Sequence, residues 1–339
     1  MHRLPFHQNS FILLFNFDQI NSTMKSLILN NSIFYRALTI LLIFTFFISC
    51  EDQDDSRTEV ESVTYSNIVS PNLNIPSDYL IGGFAVGTQS YTFNRFSAFE
   101  AIEKTAEAGG RIIEIFPGQR FKEDDDTPFN AINDAQIEEL QEKLQEHDIK
   151  LVNYGVVLLP NPEEARAVFE FAAKLGVPAI TSNPNTQDEM DFIEELVKEF
   201  DIMMAIHNHP KPEDPDSEYM IWDPNHVAGL LDGRDPRLGI CADTGHWVRS
   251  GVSPIEALQL SEGRIISLHL KDVDQFALEA VDVLFGTGVG NVSGVLEELA
   301  RQNFAGHISI EYEANWLNNV PEVAQNVGFI RGWAEAKNH

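Results

Sequence analysis

Four mostly apolar, strand-like runs of this chain each end on a side chain that can ligate a metal ion. Met203 to Ile206 leads to His207, Leu238 to Ala242 to Asp243, Ile265 to Leu268 to His269, and Ile308 to Ile310 to Glu311. One polar strand end carries little meaning, because a lone histidine there is often a hydrogen-bonded core residue. Four in series form a set. Two imidazoles and two carboxylates, brought to one place, are ligands for a divalent cation. The chemistry on offer is that of a bound metal ion with acid and base groups beside it.

Residues so far apart in sequence meet only if the fold gathers them. Successive members stand roughly 25 to 45 positions apart, the length of a strand–helix unit. In a parallel barrel of such units the C-terminal strand ends converge on one mouth, where catalytic residues collect. From Tyr79 onward, short apolar runs alternate with helical periodicity, as repeated β–α units require. Strands are expected at 82–88, 111–116, 150–157, 178–182, 202–207, 238–243, 265–270 and 307–312. Asn94 is expected to cap a helix to Ala108, stopped by Gly109-Gly110. Ile132, Ile137, Leu140 and Leu144 mark a helix over Ala131 to His147. Asn161-Pro162 opens a helix closed by Gly176, and Gly290-Asn291 opens one closed by Gly306. The expected fold class is α/β, a (β/α)8 TIM barrel in a single domain over 79–339. A doubly wound open sheet is the alternative, but it lacks a Gly-rich turn after its first strand. Long connections at Phe116 to Asn130, Pro210 to Pro224 and Asp272 to Gly290 all follow strands, so they belong to the catalytic face.

Composition narrows the partners. With 339 residues, 43% hydrophobic and 10% aromatic, the chain can bury a large core. A formal charge of −29 with no basic patch excludes a nucleic-acid partner, because phosphate binding needs clustered Lys and Arg.

The first 78 residues read differently. Lys25 and Arg36 precede an apolar run from Ala37 to Ser49, the architecture of a signal peptide. As a helix that run spans about 20 Å, short of the roughly 30 Å hydrocarbon core. Phe47-Ile48-Ser49-Cys50 resembles a bacterial lipobox, in which the cysteine is lipidated. Residues 1–49 are therefore expected to be an upstream extension and lipoprotein-type signal peptide. Residues 50–78 are expected to be an acidic, polar tether. The expected location is the cell envelope of a bacterium, periplasm or outer membrane, with membrane contact only through the lipid on Cys50. Only Cys241 remains besides Cys50, so no internal disulfide is expected.

Asp243-Thr244-Gly245-His246, His269-Leu270-Lys271-Asp272 and Ile310-Glu311-Tyr312-Glu313 together resemble the xylose isomerase-like TIM-barrel family, the sugar phosphate isomerase/epimerase group. Gly286-Thr287-Gly288-Val289-Gly290 and Gln89-Ser90-Tyr91 also fit its pattern. The resemblance covers about residues 79–335 and is most specific in the C-terminal third. It implies one divalent ion, Mn, Co, Mg or Zn, held through Glu, Asp, His and Glu on successive strands. Asp243, His269 and Glu311 match three of those positions. The fourth differs: where the family commonly has Glu-Asn-His, this chain has His207-Asn208-His209. The family's epimerases use that glutamate and the one matching Glu311 as an acid/base pair on either side of the substrate carbon.

Removing a proton beside a carbonyl makes an enediolate, whose charge a divalent ion holds as a Lewis acid. The expected metal ligands are His207, Asp243, His269 and Glu311. Glu311 is the first choice of base, with His207 or His209 opposite. His246 would bond substrate oxygens or serve as a second acid, and Lys271 would stabilise an oxyanion or pair with Asp272 or Glu311. Glu114 and Trp222 are expected to bind the sugar, one by its carboxylate and one by its ring. Glu313 reads as a rim group, and the run 286–290 as a loop and helix start, since its spacing matches no phosphate fingerprint.

The expected activity is a divalent-metal-dependent sugar isomerase or epimerase acting on a small-molecule sugar. One alternative is a lyase or hydratase of 3-keto sugars or 3-keto-glycosides that shares the enolate step. His207 in place of glutamate and an envelope location, where phosphorylated sugars are scarce, favour it. Another is a non-enzymatic sugar-binding lipoprotein, against which the retained Asp243, His269 and Glu311 argue.

Overall fold

The computed structural model describes residues 71–337. The signal-peptide and Cys50 readings fall outside them, as does most of the tether. Within them eight parallel strands close a barrel: β1 (Phe84–Gln89), β2 (Ile112–Ile115), β3 (Lys150–Val157), β4 (Ala179–Ser182), β5 (Met203–His207), β6 (Leu238–Asp243), β7 (Ile265–Leu270) and β8 (His307–Ile310). Their order around the barrel is their order along the chain, and β8 pairs with β1 to close it. Each expected strand is present, offset by a residue or two at some ends. The strands are buried nearly throughout, which is why they read as apolar runs rather than alternating ones.

Helices form the outer layer: α1 (Ala98–Glu107), α2 (Asp134–Glu146), α3 (Pro162–Leu175), α4 (Gln187–Phe200), α5 (Pro224–Leu231), α6 (Thr244–Arg249), α7 (Pro254–Leu260), α8 (Val292–Arg301) and α9 (Val320–Lys337). Asn161 caps α3 and Gly176 ends it in the left-handed region, as expected. Three boundaries differ. α2, expected from Ala131, starts at Asp134 behind an Asn133 cap, and Phe129–Ala131 form a 3-10 turn. α1 starts after Ser97, whose side chain and Glu100 form a reciprocal capping box, while Ser90–Phe93 make a separate 3-10 turn. α8 ends at Arg301, and Gly306 sits just before β8, where a Cβ would strike the Ile266 carbonyl oxygen at 2.0 Å. The acidic run Glu123 to Asp126 lies in a small hairpin between Arg120–Lys122 and Asp125–Pro128.

Residues 71–79, expected to be mostly tether, instead seal the lower end of the barrel. Asn72 bridges to Ala305, and the Leu73 amide donates to the Ala305 carbonyl at 3.3 Å. Leu73 packs on Ala179, Ala205, Cys241 and Ile266, and Ile75 and Tyr79 pack on Ala85, Ile112 and Val152. Cys241 is a free, buried thiol. Above this apolar plug the interior turns polar. Asn153 donates to Thr181 Oγ1 at 2.9 Å and meets His307 Nε2 at 3.0 Å, while Ser309 Oγ lies 3.0 Å from Glu114 Oε2. No helix among the described residues is long and apolar enough to cross a membrane.

Candidate functional site

The four residues that open the sequence reading meet above this polar layer. His207 and Asp243 are the last residues of β5 and β6, His269 lies one place before the end of β7, and Glu311 directly follows β8. Register aligns them, with His269 opposite Asp243 and His207 opposite Cys241. All four are buried, and one donor atom from each lies within 4.8 Å of the others. His207 Nε2 is 3.4 Å from Asp243 Oδ2, and His269 Nδ1 is 3.2 Å from Glu311 Oε2.

Local chemistry aims these groups inward. Asp243 caps α6, its Oδ1 accepting the His246 amide at 2.7 Å, which leaves Oδ2 for the cluster. Asn208 bonds the Asp243 backbone twice, donating to its carbonyl at 3.0 Å and accepting its amide at 2.9 Å. Glu114, fully buried, sits 3.0 Å from His269 Nε2 and turns the other ring nitrogen toward the mouth. Both ring nitrogens of His207, Asp243 Oδ2 and His269 Nδ1 make no well-directed hydrogen bond, and their closest approaches are the charge contacts within the cluster and to Lys271. Buried polar atoms are rarely left so. Orphaned nitrogens and a carboxylate oxygen converging on one point fit a divalent cation in both geometry and donor type.

Lys271 adds a fixed positive charge. Fully buried, its Nζ lies 2.8 Å from Glu311 Oε2 and 3.1 Å from Asp243 Oδ2, and it also bonds Glu313. Of its two expected partners, Glu311 is present and Asp272 is not. Burial opposes the ammonium, but Asp243, Glu311 and Glu313 outweigh it and raise its pKa well above the usual lysine value. Burial would likewise raise Asp243 and Glu311. His246 and Lys271 instead hold Asp243 well below the carboxylate range, and Lys271 and His269 do so for Glu311. Asp272 turns the other way, accepting the amides of Gly286, Gly288 and Gly290 at 2.9, 3.0 and 2.9 Å. The glycine-rich run thus cradles a carboxylate of its own chain.

A cavity of about 410 Å³ opens above the cluster. His207, His209 and His246 from the β5 and β6 ends, and Glu311 and Glu313 after β8, line it together with Tyr91, Phe116, Pro117 and Val156 from the β1 to β3 ends. His209 Nδ1 and its backbone amide both lie 3.1 Å from the Tyr219 hydroxyl. Burial pushes the His209 imidazole down to about 4, with His207 adding to the effect. His246 stacks on His209 with ring centroids 5.5 Å apart, and burial lowers its pKa well below the usual value. Two expected sugar-binding residues stand elsewhere. Glu114 lies beneath His269 rather than on the cavity wall, and Trp222 is half-buried in the loop after β5 under the Lys211 ammonium, 4.5 Å from its centroid. Neither lines the cavity. Phe116 escaped the sequence reading because it looks like one more apolar residue at a strand end.

Residues 102–333 match the model of a family described as xylose isomerase-like TIM barrel. A curated relative, 3-oxo-isoapionate decarboxylase of Pectobacterium atrosepticum, is 24% identical over 208 residues, covering 56% of this chain and 68% of its own. A solved structure of an uncharacterised protein from Parabacteroides distasonis is 33% identical. It superposes with a TM-score of 0.60 over 74% of this chain and 99% of its own. A D-tagatose 3-epimerase-like protein shares the fold, with 20% identity and a TM-score of 0.57 over 75% of this chain and 98% of its own.

Proposed function

This chain belongs to the xylose isomerase-like TIM barrel family, and from its site we propose that it removes a proton next to the carbonyl group of a sugar or sugar-derived substrate. The observation that carries the reading is the buried His207, Asp243, His269 and Glu311 cluster at the floor of a cavity in the barrel mouth. These four would hold one divalent ion, Mn, Co, Mg or Zn. Bound there, such an ion supplies Lewis-acid stabilisation of the developing enolate charge.

The chain's own residues divide the remaining work. Oε2 of Glu311 is engaged by Lys271 at 2.8 Å, which leaves Oε1 to take the C–H proton. Lys271 keeps that carboxylate oriented and contributes positive charge near the substrate oxygens. His209, anchored through Nδ1 by Tyr219, would return a proton from the opposite side. His246 would bond a substrate hydroxyl. Sugar isomerisation or epimerisation results when the proton returns to carbon.

One feature favours a second reading. His207 occupies the position where the family's epimerases carry glutamate, so their flanking carboxylate pair is incomplete. After proton abstraction the electron pair would then form a C=C bond as a β C–O bond breaks, and the leaving oxygen takes a proton. That is lyase chemistry, on a 3-keto-glycoside for example, with hydration as its reverse sense. The decarboxylase relative also acts, by its name, on a 3-oxo compound.

The test uses the purified chain loaded with Mn or Co, incubated in D2O with ketoses and 3-keto-glucosides. Proton NMR follows once the metal is removed. Deuterium beside the carbonyl together with a new epimer or aldose supports isomerase chemistry. Loss of the aglycone, or water added to an unsaturated keto sugar, supports the lyase or hydratase. No exchange in a protein carrying stoichiometric metal overturns both, and no metal uptake leaves a non-enzymatic sugar binder.

A further inference from the structure

The cavity wall facing the histidines has no obvious use for a bare sugar. Tyr91 is 41% exposed, and its ring meets Phe116 edge-on at 5.3 Å and Trp316 edge-on at 5.9 Å. Pro117 and Val156 continue the surface. Gln89, the polar side chain on this side, is already engaged: its Nε2 donates to the Gly155 carbonyl at 2.9 Å and its Oε1 accepts the Tyr91 amide at 3.1 Å. Apart from the Tyr91 hydroxyl and the second Nε2 hydrogen of Gln89, the side chains of this wall offer no donor to sugar oxygens. Leu158 and Leu317, 70% and 77% exposed, extend the apolar character along the neighbouring strand-end loops. An exposed aromatic ring in a cavity wall with few donors suits an apolar ligand group. At about 410 Å³ the cavity falls within the range for drug-sized ligands.

We propose that Tyr91 and Phe116, backed by Trp316, form a subsite for a planar, apolar aglycone, so that the substrates are glycosides of aromatic alcohols rather than free sugars. The sugar carbonyl would face the His207 cluster and the aglycone ring would lie against Tyr91 and Phe116. Aromatic rings favour such offset or edge-on packing. The inference rests on the reading of the site as acting on a sugar carbonyl, and it identifies the leaving group of the elimination.

Binding and turnover are measured separately. Phenyl β-glucoside and methyl β-glucoside, which lack the reactive carbonyl, are titrated by calorimetry into the metal-loaded full chain. Their 3-keto forms are assayed for turnover. The phenyl compound should bind about tenfold more tightly. Tyr91→Ala and Phe116→Ala should each shrink that preference, while Tyr91→Phe should keep it. Equal affinities, a preference that survives both alanine variants, or no binding of either glucoside overturns the subsite. If the preference holds but neither keto-glycoside reacts, the subsite stands and the carbonyl reading falls. If both keto-glycosides react without a phenyl preference, the carbonyl reading stands and the subsite falls.

Discussion

His269 Nε2 lies 3.0 Å from Glu114 Oε2, across the barrel interior from β7 to β2. The same carboxylate oxygen meets Ser309 Oγ at 3.0 Å. Glu114 thus fixes the His269 ring from behind, and Glu114→Gln should weaken Mn binding about 10- to 100-fold. Calorimetric titration of Mn into the variant and the parent checks this, with circular dichroism confirming that both are folded.

Removing the histidine itself is more severe. His269→Ala should abolish turnover and leave the purified protein with well under one equivalent of metal. Elemental analysis alongside the assay decides it, and unchanged turnover would remove the site assignment.

Lys271 supports the fold as well as the site. Lys271→Met strips the counter-charge from Asp243, Glu311 and Glu313 in a buried setting, a change expected to cost about 3–5 kcal/mol. Because a bound cation would replace the lost ammonium beside Asp243 and Glu311, Mn should recover part of that loss. Urea unfolding with and without Mn measures both effects.

The loop before α8 depends on Asp272, which accepts amides from Val273, Gly286, Gly288 and Gly290. Asp272→Asn places an amide donor among these donors and should destabilise the chain by about 3 kcal/mol. Hydrogen exchange at residues 284–290 should rise sharply. Gly288→Ala should fail similarly, because its Cβ would lie 2.3 Å from the Val273 carbonyl oxygen and 2.4 Å from Asp272 Oδ1.

A carboxylate outside the site gives a clean acid response. The Arg237 side chain, against a smaller opposing effect of burial, holds Asp235 down to about 2, whereas an unfolded chain titrates it near 3.9. A depressed folded-state pKa stabilises fully above the unfolded value, and the contribution disappears as pH falls from about 4 through 2. The melting temperature of Asp235→Asn should therefore start lower at neutral pH and converge on the parent below pH 2.

Much of the barrel is legible because a strand buried on both faces writes itself as an apolar run, and the ligand set is legible because each member ends such a run. What stays hidden depends on closure. Glu114 and His269 are neighbours only once β8 has paired with β1. Lys271 reaches three carboxylates that no local spacing connects. Asn94 looks like the cap of α1 but closes the 3-10 turn Ser90–Phe93 instead, and the Ser97–Glu100 capping box three residues later starts the helix. Residues 71–78 look solvated because two apolar side chains, Leu73 and Ile75, do not make a pattern, yet together with Tyr79 they fill the end of the barrel.

That plug also gives the molecule a direction. The chain joins the barrel beside Ala305, ahead of β8, whereas the cavity opens past the strands' far ends. The first described residues and the cavity thus occupy opposite poles of the barrel.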